Sequence, residues 1–305
     1  MTNTVSVVIC AHAIDRLDDI RRAVGSVAAQ SKPPDELLLV IDNNERLRDL
    51  VADLPAKVVV NEGPKGLSGA RNTGTRLAIG DIVAYLDDDA VADVDWLATM
   101  SAPFAKPNVM AVGGRAEPDW DEARPSWFPP EFDWVIGCSH RGLPKTSGNV
   151  RNVIGCTMAF RRSAVLAAGG FDDRLGRTAK RPSGCEETEL CIRLTQRDKS
   201  AAIIYEPAAR IRHRVPVARA RFGYFLRRCS AEGASKAHVA RLVGAEDGLA
   251  SERAYVVETL PRAITMSLRS LHRAPIANLG LILAIVAGLL ATGGGYLRNS
   301  LQHRV

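Results

Sequence analysis

The chain has 305 residues, 46% hydrophobic and 24% charged, with a net charge of +6 at pH 7, which excludes a disordered or fibrous protein and leaves room for a full core plus an appendage. Charge is unevenly placed: from Glu206 onward there are 15 Lys and Arg against 6 Asp and Glu, and before it 25 against 28, so the basic C-terminal third suits an anionic surface. With only 5% aromatic residues and no nucleic-acid motif, no nucleic-acid partner is expected.

Val5 to Cys10 (VSVVIC) is a β-branched strand run that follows the N-terminus directly, without a signal peptide's positive region and long apolar stretch, so the body is expected to be cytoplasmic. The six cysteines (Cys10, Cys138, Cys156, Cys185, Cys191 and Cys229) lack CxxC or zinc-site spacing and read as reduced thiols. A polar loop at His12 to Asp15 and an amphipathic helix to about Ala29 follow. Leu37 to Ile41 (LLLVI) repeats the strand pattern and ends at Asp42, Asn43 and Asn44. A helix from Glu45 to Leu54, a strand from Lys57 to Val60, the glycine-rich turn GPKGLSGARNTG and a helix to Ile79 come next.

The following strand, Ile82 to Leu86, runs straight into Asp87, Asp88 and Asp89. Open α/β sheets bind ligands outside the carboxyl ends of their strands, and three adjacent carboxylates suit a hard divalent cation such as Mg²⁺ or Mn²⁺. The alternative is an acidic turn capping a helix that starts near Asp93. Strand and helix alternate four times within ninety residues, the signature of a doubly wound parallel sheet. Neither GxGxxG after the first strand nor GxxxxGK[ST] anywhere is present, so phosphate handling falls to metal and side chains.

The segments VSVVICAH, LLLVIDNN, GLSGARNTG and AYLDDDA, followed by GCTMAFRR, GGFDD and GCEETELCIRL, occur in this order over about residues 5 to 215. Together they resemble the family 2 glycosyltransferases of the GT-A fold. The resemblance implies an α/β catalytic domain over 1–215, Rossmann-like, with a mostly parallel sheet and helices on both faces. It also implies transfer of a sugar from a nucleotide-diphosphate sugar to an acceptor hydroxyl.

By that resemblance Asp42 accepts a hydrogen bond from a uracil imide, which favours a UDP-sugar, and Ala11 and His12 flank the base. An Asx turn after the strand is the other reading of Asp42. Arg71 faces the nucleotide, where a guanidinium suits phosphate oxygens, unless it is a surface helix residue. Asp87 and Asp89 match the ends of the family's DxD motif, the first meeting the ribose and the last a metal bridging the phosphates, with Asp88 on the nucleotide side. The metal, Mn²⁺ or Mg²⁺, stabilises the departing diphosphate. His213, in IRHRVP, is either a further metal ligand or structural.

Glu186 and Glu187 open a helix after the pair Ser183-Gly184, a placement the helix dipole alone favours. The resemblance makes Glu187 the base, where relatives carry Asp. Glu is one methylene longer and equally a general base. One base opposite a metal-bound leaving group implies displacement with inversion rather than a covalent intermediate. Thr157, where relatives often carry Asn, Asp172 in GGFDD and Glu186 complete the sugar and acceptor side. Arg219, Arg227 and Arg228 either close over phosphates or form a solvated basic face.

Residues 117–150 break the alternation and correspond to an acceptor-side insertion, with Trp120, Trp127 and Trp134 either stacking on sugar or packing a loop. Residues 216–274 read as a basic helical extension, in which Leu260, Ile264, Leu268 and Leu271 share one helical face. Within 275–305, Ile276 to Leu297 is 22 residues without a charge, flanked by Arg269, Arg273, Arg298 and Arg304. That is long enough to span a bilayer, although Gly293 to Gly295 weaken its far end. A tilted, shallow or hairpin insertion, and the core helix of a soluble homo-oligomer, are the alternatives.

The leading expectation is an inverting, metal-dependent glycosyltransferase on the cytoplasmic side of an anionic membrane, acting on a glycan or a polyprenyl-phosphate-linked acceptor. A sugar-nucleotide pyrophosphorylase and a degenerate, membrane-bound binding module are the other readings. The first lacks its Gly-rich signature after the first strand; the second sits poorly with intact Asp87, Asp89 and Glu187.

Overall fold

A computed structural model describes residues 3–176 and 184–302. Ser183 and Arg304 therefore lie outside the described residues. The chain divides into two compact units, one formed by residues 3–117, 144–176 and 186–213, the other by Pro118–Leu143, residues 184–185 and the chain from Arg214 on.

The first unit is built on a sheet of order β3-β2-β1-β4-β8-β6-β9-β5, with β7 also on β9. Its strands β1 (Val5–Ala11), β2 (Glu36–Ile41), β3 (Lys57–Val60) and β4 (Ile82–Asp87) are parallel neighbours. Between them run α1 (Leu17–Ala28), α2 (Glu45–Leu50) and α3 (Leu67–Leu77). The doubly wound part is confined to these four strands. Beyond them the pairs β4–β8, β8–β6 and β9–β5 are antiparallel, so the sheet is mixed. The later elements are β5 (Ala90–Ala92), α4 (Trp96–Ser101), β6 (Val109–Trp120), β7 (Gly148–Asn149), β8 (Thr157–Arg161), α5 (Arg162–Ala167), α6 (Glu186–Arg197) and β9 (Ala202–Val215).

The unbroken apolar runs of β1, β2 and β4 reflect burial on both faces. Val8, Leu38, Val40, Val83 and Tyr85 share one core with Ala70 of α3, Val165 of α5 and Leu190 and Leu194 of α6. Gly74 makes that contact close, because a Cβ there would come 2.6 Å from a Val8 methyl. Side chains alternate along a strand, so Val7, Ile9, Leu39 and Ile41 face the other way. There α1 supplies buried Ile20, Ala23, Val24 and Val27.

Element ends differ from the sequence expectations in instructive ways. The helix expected to reach Leu54 ends at Leu50, after starting at a cap in which Leu47 donates to the Asn44 side chain. The helix expected near Asp93 begins at Trp96, and Ala90–Ala92 form a strand instead. None of Asp87, Asp88 and Asp89 therefore caps it, which overturns the acidic-cap alternative.

The second unit is helical. It contains α7 (Phe222–Val243), the short α8 (Ala245–Gly248) and α9 (Ala250–Ala254), a π-helical stretch Tyr255–Thr259, α10 (Leu260–Arg269) and α11 (Pro275–Gln302). The buried side of α10 is Leu260, Ala263 and Ser267, while Leu268 is 52% exposed, so the expected single leucine face is divided between inside and outside. Gly293 to Gly295 do not end α11. Gly295 is needed where it stands, since a Cβ would fall 2.0 Å from the Ser230 carbonyl oxygen of α7.

Candidate active site

Three parallel strands end side by side, with Cys10 opposite Asp87 and Ala11 opposite Ile41. The residues following them therefore gather at one carboxyl edge of the sheet, where α/β folds bind ligands. Asp42 follows β2 and is buried. Its Oδ1 accepts from Asn43 Nδ2 at 2.8 Å and from Asn61 Nδ2 at 2.7 Å, and its Oδ2 accepts from the Gly66 amide at 2.9 Å. A carboxylate has about four acceptor positions, so Asp42 fixes the loop entering α3 and keeps capacity for one more donor. Gly66 holds a φ of 121° there, in the left-handed range glycine tolerates. Ala11 is buried and accepts the Asp42 amide through its carbonyl, while His12 is exposed and accepts Asn44 Nδ2 at its carbonyl.

At the end of β4, Asp87 is partly exposed and Asp88 and Asp89 are buried. Asp89 Oδ1 lies 3.1 Å from His213 Nε2 of β9, which the antiparallel pairing of β5 with β9 brings opposite Ala90. Arg16, in the short 3-10 turn Ile14–Arg16, places its Nη1 2.7 Å from Asp88 Oδ1 and 3.2 Å from Asp89 Oδ2. Burial, with Asp89 and Asp87 adding to it, pushes the Asp88 carboxyl up from its ordinary range, against the pull of Arg16. Asp88 Oδ2 is buried without a hydrogen-bond partner among the described residues.

Ligand atoms of Asp87, Asp89 and His213 all lie within 4.8 Å of one another. Two carboxylate oxygens and one imidazole nitrogen are a donor set that could hold a divalent metal ion. Crowded, partly buried carboxylates with an unsatisfied oxygen among them are a site where bound positive charge is favoured.

Arg71 is no surface helix residue, which overturns that alternative, and it lies against Asp87 of the expected nucleotide site. It is 2% exposed, donating from Nη1 to Glu186 Oε1 at 2.6 Å and from Nη2 to Gly155 O at 2.8 Å and Asp87 Oδ1 at 3.3 Å. Burial opposes its charge, and Glu186 and Asp87 outweigh that effect and hold it protonated. Glu186 is likewise buried, and its Oε2 has no hydrogen-bond partner among the described residues. Glu187 is half-exposed, with Thr188 donating to its Oε1 at 3.3 Å. A Cβ built on Gly155 would sit 3.3 Å from Arg71 Nη2 and 3.7 Å from Glu187 Oε2. Gly155 is thus the spacer that lets Arg71 and Glu187 share one neighbourhood with Asp87. The adjacent glutamates are divided by burial: one is locked to an arginine, the other is accessible.

Other expected residues are used differently. Thr157 is fully buried, and its hydroxyl accepts from Trp96 Nε1 at 2.9 Å, so it faces the core rather than a sugar. Asp172 accepts from the Arg174 amide at 2.8 Å and from its guanidinium at 2.6 Å. In the second unit, Trp127 packs with Phe128, Phe222 and Phe225, Trp120 packs with Phe128 under Arg124, and Trp134 donates to the Tyr255 hydroxyl. These three tryptophans are half-buried packing residues. Of the arginines expected near phosphates, Arg219 and Arg228 are buried and Arg227 is exposed. Arg16, Asn61 and Gly155 were not singled out from the sequence, because each acts on a partner remote in the chain.

A profile of glycosyl transferase family 2 matches residues 6–167. A glucosyl-dolichyl phosphate glucuronosyltransferase of Haloferax volcanii is 33% identical over 300 residues, covering 96% of this chain and 95% of that one. Among solved structures, the mannosyltransferase PcManGT from Pyrobaculum calidifontis, in complex with GDP-Man and Mn²⁺, superposes with a TM-score of 0.59 at 17% identity, over 96% of this chain and 87% of the other. GalNAc-T7 with UDP, GalNAc and Mn²⁺ gives 0.55 at 19% identity, and this chain spans about half its length, with 79% of this chain and 48% of that one covered. These two likenesses bear on the fold, a mixed α/β sheet of the GT-A kind. A family match over more than half of the chain, joined to 33% identity along nearly its whole length, shows that this protein is an enzyme of glycosyl transferase family 2.

Proposed function

We propose that the enzyme transfers a sugar, with inversion, from a nucleotide-diphosphate sugar to a hydroxyl of a lipid-linked acceptor, using a divalent cation on the cytoplasmic side of a membrane. The observation that carries this reading is the convergence of Asp87, Asp89 and His213 with an accessible Glu187, joined through Arg71 and Gly155. When bound, a divalent cation would neutralise charge on the departing diphosphate. Asp87, Asp89 and His213 would hold it, while Arg16 offsets the remaining charge of Asp88 and Asp89.

Glu187 takes the proton from the acceptor hydroxyl as it attacks, and Glu186, fixed by Arg71, sets the start of α6 that carries it. With Asp87 assigned to the cation, Glu187 is left as the accessible carboxylate for the acceptor, which supports direct displacement, since retention through a covalent intermediate needs a further carboxylate at the same carbon. Asp42, with one acceptor position left, is suited to a base carrying an imide donor, which favours a uracil or thymine nucleotide, UDP among them. The lipid-linked acceptor is supported by the name of the Haloferax relative and by an apolar helix that the second unit exposes. Nothing in the site favours a pyrophosphorylase, and the intact acidic groups speak against a purely binding role.

The test is transfer from UDP-, GDP- and dTDP-sugars to a polyprenyl-phosphate-linked glucoside, with Mn²⁺ and after chelation. Glu187→Gln is expected to slow transfer by about 10² to 10⁴-fold while donor affinity is kept. Near-normal transfer by a folded Glu187→Gln protein would overturn the assignment.

A further inference from the structure

We infer that α11 lies in the plane of the membrane, within one leaflet, rather than crossing it, with anionic phospholipid as the partner of its outer face. This rests on the membrane part of the reading above and concerns how the protein is held, not what it transfers. By length and composition Pro275–Leu301 could cross a bilayer, and the hydropathy pattern alone cannot separate spanning from lying flat. Its neighbour α7 decides between them.

The two helices are in close contact. Gly288 meets Phe225, Gly295 meets Ser230, Gly233 meets Thr292, and Arg241 donates to the carbonyl and side chain of Asn299. α7 therefore accompanies the second half of α11, from Gly288 to Asn299, and α7 is no membrane helix. It carries Arg227, Arg228, Glu232, Lys236 and Arg241, with Glu232 paired to Arg228 and Lys236, and Lys236 in turn to Glu252. A spanning α11 would draw Arg228, Glu232 and Lys236 into the hydrocarbon of one leaflet, where ionisable side chains are disfavoured.

The exposed side of α11 suits the flat arrangement. Ile276, Leu279, Leu283, Val286, Leu290 and Leu297 are each between 43% and 89% exposed and recur at spacings of three, four or seven residues, which puts them on one helical face. The opposite face holds buried Ala284, Ile285, Gly288 and Gly295. With part of its other face covered by α7, α11 presents this stripe outward, as a helix at the boundary of headgroups and acyl chains does. Charge complements it: Arg227 and Arg298 flank a groove floored by Ser230, Ala231, Ala234 and Gly295, and neither arginine has a hydrogen-bond or ion-pair partner among the described residues. Arg262, Arg269 and Arg273 add exposed positive charge beside α10. An anionic headgroup at the groove would meet both guanidinium groups while its acyl chains cover the outer stripe.

The test uses the full chain with a short tag at each end, in sealed membrane vesicles of both orientations exposed to external protease. In-plane insertion puts the two ends on one side, so both tags are cut in one orientation and both survive in the other. One tag cut while the other is protected would overturn the inference and leave the proposed reaction untouched, because no sugar transfer is read. Leu283→Glu with Leu290→Glu is expected to release the protein from phosphatidylglycerol-containing vesicles with its helical content unchanged. A protein that never floats with such vesicles and runs as a dimer would overturn it too, making the stripe an interface between two copies.

Discussion

Arg71 and Glu186, 115 residues apart in sequence, meet at 2.6 Å in the interior of the first unit. Because Arg71 also reaches Asp87, one guanidinium ties the acidic end of β4 to the first turn of α6, where Glu187 stands. Removing one partner of a buried pair strands the other, at a cost of about 3–5 kcal/mol. Arg71→Ala is expected to lose stability in that range by urea unfolding. Arg71→Ala combined with Glu186→Gln should recover part of it, since the stranded charge is gone. Additive losses in the double variant would show that the pair is not coupled.

Asp89→Asn should remove the Mn²⁺-dependent part of UDP binding measured by calorimetry. An amide oxygen is a neutral ligand, and changes merely behind the ligands already cost about 10 to 100-fold, so loss of a ligand is expected to exceed that. His213→Ala should act in the same direction on the same increment. If Asp89→Asn binds UDP with the same response to Mn²⁺, Asp89 is not a ligand.

Gly233→Ala tests the closeness of α7 and α11. A methyl group there would fall 1.9 Å from the Thr292 carbonyl oxygen, so the helices must separate, at about 1–3 kcal/mol. Chemical unfolding of the second unit in detergent should report that loss. Unaltered stability would mean that the helices pack more loosely than described.

His140 sets a pH dependence. It lies edge-on to Tyr255, and burial, with Lys236 adding repulsion, lowers its pKa from 6.5 to about 4. The folded state thus resists protonation that the unfolded chain accepts, so stability is intact above about 6.5, falls as pH drops from there to about 4, and levels off below. The shift corresponds to roughly 3 kcal/mol at the acid end. His140→Phe should flatten the acid limb of a plot of thermal stability against pH. An unchanged limb would assign the acid sensitivity to other groups.

The sequence alone determined the four-strand parallel core, because strands covered on both faces read as apolar runs, as at Val7–Ala11 and Ile82–Leu86. It also placed Asp42 and Asp87 at strand ends, since strand and site are contiguous there. The ordered motifs named the family before any coordinates, and the profile match and the Haloferax relative agree.

What only the tertiary structure decided are relationships between distant segments. Thr157 and Glu187 occur in equally polar motifs, yet burial sends one to Trp96 and leaves the other accessible. Arg16 carries no motif, and its role appears only when the turn after β1 folds over Asp88 and Asp89. The same holds for α11: hydropathy measures how apolar a helix is, whereas the partner packed against its Gly288 and Gly295 is a charged helix that comes from residues 222–243.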